Sequence, residues 1–108
     1  MSMITLPDNV MRILDVIPGE TRQDRLVNLV LESIVAKLKE CDARIVGFEA
    51  RYGMNFEDFQ QAWKEKLIGS PFSHSLEKDY MEWEGFCLER RKWLSLLKEL
   101  KDGVAVKR

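Results

Sequence analysis

Histidine is nearly missing: His74 is the only one, and it sits in the polar segment SPFSHS. The two cysteines, Cys41 and Cys87, stand 46 residues apart with no CxxC pairing. A zinc site needs several His, Cys or carboxylate ligands at set spacing, and a nucleophile triad needs a base beside its Ser or Cys. No metal, no cofactor and no enzymatic activity is therefore expected. His74 reads as a loop residue, and the cysteines as small buried apolar side chains of a reducing compartment. There is no signal peptide and no apolar run of about 18 residues, so a cytoplasmic chain without a membrane partner is expected. A Gly-rich phosphate loop, an internal repeat and a low-complexity tract are also missing. So is an excess of either charge: 17 basic residues face 18 acidic ones, and a net charge of -1 supplies no global field for nucleic acid, leaving only local patches to consider. With three prolines and six glycines, the 108 residues read as about one domain with enough apolar side chains to build a core.

What is present is organised by period. In MITLP, residues 3 to 7, Ile4 and Leu6 share one face of a short strand and Met3 and Thr5 the other, until Pro7 ends it. Val10, Ile13, Leu14 and Ile17 then recur at i, i+3, i+4 and i+7, which predicts a short helix with one buried face, stopped by Pro18-Gly19. Thr21 with Asp24 is an N-terminal capping signal. It opens a second helix carrying Leu26, Val27, Leu29, Val30, Leu31, Ile34, Val35 and Leu38, apolar over more than one face. A helix apolar on so much of its circumference must be covered by more than its short neighbours, and a second subunit is the available cover. The pattern runs on to Tyr52, with Gly47 as a weak point and Gly53 as a C-terminal cap.

Asn55 and Asp58 form the next cap, Met54 is placed to pack on Phe59, and a third helix with Phe56, Phe59 and Trp63 on one side is expected to end at Gly69-Ser70-Pro71. The last helix, from about Ser75 to Asp102-Gly103, carries Leu76, Tyr80, Trp83, Cys87 and Leu94 on one stripe and Phe86, Trp93, Leu97 and Leu100 on an adjacent one. Charge is polarised along this half. Residues 49 to 89 hold nine acids and four bases, whereas residues 90 to 108 hold seven bases and two acids. Within DYMEWEGF, residues 79 to 86, Glu82 and Glu84 point about 200° apart on a helix and cannot work as an acid/base pair. The segment instead reads as aromatic anchors set among steering acids, or as core packing between the last two helices.

The first forty-odd residues, MITLPDNVMRIL followed by PGETRQDRLVNLVLESIVAKL, resemble the ribbon-helix-helix family. The resemblance implies a mainly α fold: an N-terminal dimeric ribbon-helix-helix of one short strand and two helices over residues 1–44, followed by two further helices in a partner-binding region over residues 45–108. It places Met3 and Thr5 toward the DNA groove, Ile4 and Leu6 in the core, and Thr21-Arg22 at a helix start that holds a phosphate. Arg12 and Arg25 are further phosphate candidates. Where a DNA reader usually shows Arg, Lys, Asn, Gln or Thr the ribbon offers Met3 and Thr5, and the departure at Met3 leaves a ribbon kept only for dimerisation as the alternative. RYGMNFEDFQQAW and EKDYMEWEGF are similar to the C-terminal helices of small prokaryotic antitoxins that follow such a module.

Together these imply a homodimeric antitoxin of a type II toxin-antitoxin pair that neutralises its toxin and autoregulates through operator DNA. Its partner-binding residues would be Phe56, Phe59, Trp63, Tyr80, Glu82, Trp83, Glu84 and Phe86. A stand-alone ribbon-helix-helix transcription regulator with a helical ligand- or partner-binding extension is the alternative.

Overall fold

The computed structural model describes residues 6–65 and 74–106, with side chains of the last helix described through Gly103. The chain is mainly helical, with α1 Asp8–Leu14, α2 Arg22–Tyr52, α3 Phe56–Lys64 and α4 His74–Val106, and no strand among the described residues. Met3, Ile4 and Thr5 of the expected strand lie outside them, and Leu6 and Pro7 are described without strand structure. Two compact units divide the chain, residues 1–35 and 36–108, so α2 contributes its start to the first and the rest to the second.

In the first unit α1 is seven residues long, opening behind Pro7 with Asp8 in its first turn. Proline suits that position, because its missing N–H has no helical partner there. The chain then turns by way of Val16 N–H to Ile13 O and Ile17 N–H to Leu14 O, both 3.0 Å. Gly19 has φ +148°, and a Cβ there would meet the Arg25 backbone nitrogen and Cγ at 2.9 Å. Only glycine fits without displacement. Arg25 Nε donates to Gly19 O at 3.1 Å and Asn28 Nδ2 donates to Pro18 O at 2.6 Å, so the turn is held by side chains of the helix it introduces. Thr21 Oγ1 accepts from Asp24 N–H at 3.0 Å, the cap expected from the T-x-x-D spacing.

The buried face expected for α1 is only partly covered in the single chain. Leu14 is buried and Ile17 half-buried, but Val10 and Ile13 are exposed. On α2, Ile34 is buried, while Leu26, Leu29 and Val30 remain exposed.

The second unit has its own core. Phe48 of α2, Phe59 of α3 and Trp83 of α4 are buried, with Ile45, Tyr52, Met54, Phe56, Trp63, Leu76, Tyr80, Phe86 and Cys87 packed against them. α2 ends where Gly53, at φ +67°, donates its N–H to Glu49 O at 2.7 Å. Asn55 Oδ1 then accepts from Asp58 N–H at 2.8 Å and starts α3. Two caps two residues apart make the corner. α2 passes unbroken through Gly47, and α4 continues through Gly103 to Val106, three residues past its expected end. A lone glycine costs a helix about 1 kcal/mol, too little to stop one already formed. His74, expected in a loop, is the first residue of α4.

Candidate functional site

Two constellations carry the expected site residues, one in each unit. In the first, Arg22 and Arg25 lie one turn apart at the start of α2 and converge on one acceptor. Asp15 Oδ1, just past α1, accepts from Arg22 Nε at 3.4 Å and from Arg25 Nη1 at 2.9 Å. Thr21 is committed to the cap of Asp24, and Arg12 is exposed on α1. Met3 and Thr5 lie outside the described residues. The role of Asp15 was not visible in the spacing, because an acid seven and ten positions before two arginines matches no helical pairing rule.

In the second unit most of the aromatic residues form a continuous cluster of stacked and tilted rings rather than a surface. Trp83 and Phe59 are each 0% exposed. The Trp83 ring lies 4.9 Å from that of Phe59, 5.4 Å from Phe56, 5.5 Å from Phe48 and 5.9 Å from Tyr52. Tyr80 contacts Phe56, Phe59 and Trp63 at centroid distances of 5.5, 5.9 and 4.9 Å, and its hydroxyl accepts from Gln60 Nε2 at 3.0 Å. Phe86 is half-buried under the Arg44 guanidinium, 5.8 Å from the ring centroid. Phe59 and Trp83 thus belong to the interior of the free chain. Phe56, Trp63, Tyr80 and Phe86 are half-buried, Glu84 is half-buried, and Glu82 is exposed with Lys78 Nζ at 3.7 Å.

The carboxylates of DYMEWEGF are divided by the helix. Asp79 faces α2, where its Oδ2 accepts from the Tyr52 hydroxyl at 2.5 Å and from Arg51 Nη1 at 2.7 Å. Burial alone would raise the Asp79 carboxyl, but those two donors outweigh it and hold it below the usual carboxylate range. Burial, then the bond to Asp79, pushes the Tyr52 hydroxyl up to about 12. A second tie joins Arg90 Nε to Asp42 Oδ1 at 2.6 Å. Sequence reasoning missed both ties, since the partners are 27, 28 and 48 residues apart.

Burial raises the Cys41 and Cys87 thiols, and both cysteines are free. Raised thiols are poorer nucleophiles at neutral pH because less thiolate is present. Among the described residues no group of three or more His, Cys, Asp or Glu could hold a metal ion, and no helix is long and apolar enough to cross a membrane. Comparison of the chain with protein-family models, with curated proteins and with solved structures gives no match.

Proposed function

We propose that this chain is a homodimeric antitoxin: its N-terminal unit dimerises and contacts operator DNA in the manner of a ribbon-helix-helix protein, and its C-terminal helices cover a cognate toxin. The observation that carries the dimer is the apolar surface left open on the first unit. Val10, Ile13, Leu26, Leu29 and Val30 are all exposed in the single chain, within about twenty residues that also hold the buried Leu14. Five exposed apolar side chains so close in sequence suit an interaction surface.

The toxin face is a narrower surface than the sequence suggested. With Phe59 and Trp83 committed to the core, the contact falls to the open edges of Phe56, Trp63, Tyr80 and Phe86, to Glu82 and Glu84, and to the exposed Met81 and Leu88 of α4. Acids around apolar side chains suit a basic partner surface, as in toxins that act on RNA, with the charges steering the encounter.

A stand-alone regulator is the second reading, favoured by the aromatic core that the second unit completes without a partner. Co-expression with the product of the adjacent reading frame separates the two: rescue from toxicity supports the antitoxin, and a harmless neighbour supports the regulator. For the dimer, light scattering should report twice 12.7 kDa. Val30→Asp, at an exposed position, should give a helical monomer. A dimer unchanged by Val30→Asp would remove α2 from the interface.

A further inference from the structure

The start of α2 carries two arginines, but neither is idle. One carboxylate oxygen, Asp15 Oδ1, accepts from both, at 3.4 Å from Arg22 Nε and 2.9 Å from Arg25 Nη1. Arg25 is held further by its Nε–H bond to Gly19 O, and its side chain is only 25% exposed. Its guanidinium is therefore fixed in plane, with one edge on the backbone and the other on Asp15. An arginine edge that fits a carboxylate also fits a phosphodiester oxygen, since both are anionic oxygen acceptors of similar geometry.

We propose that Asp15 is an intramolecular gate on nucleic-acid binding: its carboxylate occupies Arg22 and Arg25 in the place of a phosphodiester oxygen, and the duplex backbone must displace it to be bound. This rests on the reading that the first unit contacts DNA. The pairing is weak enough to be displaced, because Asp15 and Arg22 are 42% and 55% exposed and solvent-exposed ion pairs hold loosely. It also sets a salt response. Each arginine that exchanges Asp15 for a phosphate adds one neutralised phosphate to the count that governs salt sensitivity.

The test uses the full chain and a duplex of about 20 base pairs, near the length of a dimeric operator, titrated at several salt concentrations. Asp15→Asn should bind the duplex about threefold more tightly or better at low salt, with the gain shrinking as added salt screens the wild-type Asp15 pairs. Asp15→Ser provides the same test should the asparagine retain the contacts. Glu20→Gln makes an equal change in net charge two residues before Arg22 and should give a smaller gain. In an Arg22→Ala, Arg25→Ala background the effect of Asp15→Asn should vanish. Millimolar inorganic phosphate should leave the gain in place.

Wild-type binding with no gain in either Asp15 variant overturns the gate and leaves the DNA contact standing. An equal gain from Glu20→Gln, or a gain that survives loss of both arginines, overturns it as well, because the effect would then be one of net charge. Loss of the gain in inorganic phosphate makes the arginines a free-anion site and overturns the assignment to the duplex. No binding by wild type or by either Asp15 variant overturns the DNA-contact reading and the gate with it.

Discussion

The Tyr52 hydroxyl donates to Asp79 Oδ2 at 2.5 Å, closing the end of α2 onto the first turns of α4. Asp79 is the more buried member of its ion pair, with 14% of its side chain exposed against 61% for Arg51. The tyrosine bond is the better shielded of the two, and screening by salt should weaken the arginine contact first.

From this follows a pH dependence with a definite sign. The folded Asp79 carboxyl is lowered, so its stabilisation is present above the unfolded value of about 3.9 and is lost as pH falls through the folded value. Tyr52 is raised to about 12, so its contribution is full below the unfolded value of about 10 and is lost as pH rises from there through about 12. Denaturant melts of Asp79→Asn should show reduced stability at pH 7 and convergence with wild type below about pH 4. A difference that stays constant down to pH 2 would assign the loss to packing.

Trp83 separates volume from polarity. Its indole Nε1 is buried with no hydrogen-bond partner among the described residues. Trp83→Ala should cost about 3 to 5 kcal/mol of folding stability by emptying the centre of the aromatic core. Trp83→Phe removes an unpaired donor whose burial costs about 1 to 3 kcal/mol, which offsets part of the lost volume. Thermal melts should therefore place Trp83→Phe much nearer wild type than Trp83→Ala.

Glycines at two positions predict opposite outcomes. Gly47 is within α2, and a Cβ there meets no atom within 4 Å, so Gly47→Ala should stabilise by about 0.5 to 1 kcal/mol. Gly19→Ala should destabilise by about 1 kcal/mol or more, because φ is +148° and the new Cβ strikes Arg25 backbone. Equal melting temperatures for the two variants would contradict both.

Much of the local structure was legible because it rests on rules that act within a turn of helix. Thr21 and Asn55 cap where their spacing said they would, Gly53 ends α2, and the long helices follow from period. What covers an apolar stripe was not legible. A stripe shows that a face needs cover, and Trp83 and Val30 look alike in that respect, yet the first is 0% exposed and the second 47%. Pairings such as Tyr52 with Asp79 depend on how α2 and α4 meet, which no short-range rule encodes. α4 outruns Gly103 because the cost of one glycine is small beside the helix already built.

The three tryptophans, Trp63, Trp83 and Trp93, all fall after residue 35. Indole emission therefore reports on the second unit and carries no signal originating in the first. Trp83, sealed among rings, should emit at the blue end, and the half-buried Trp63 and Trp93 further to the red. Far-ultraviolet circular dichroism, by contrast, weighs α1 and the start of α2 along with everything else. Coincidence of the two melting curves means that the whole chain unfolds as one cooperative body, and an early loss of ellipticity at constant emission means that the end bearing Arg22 and Arg25 melts alone.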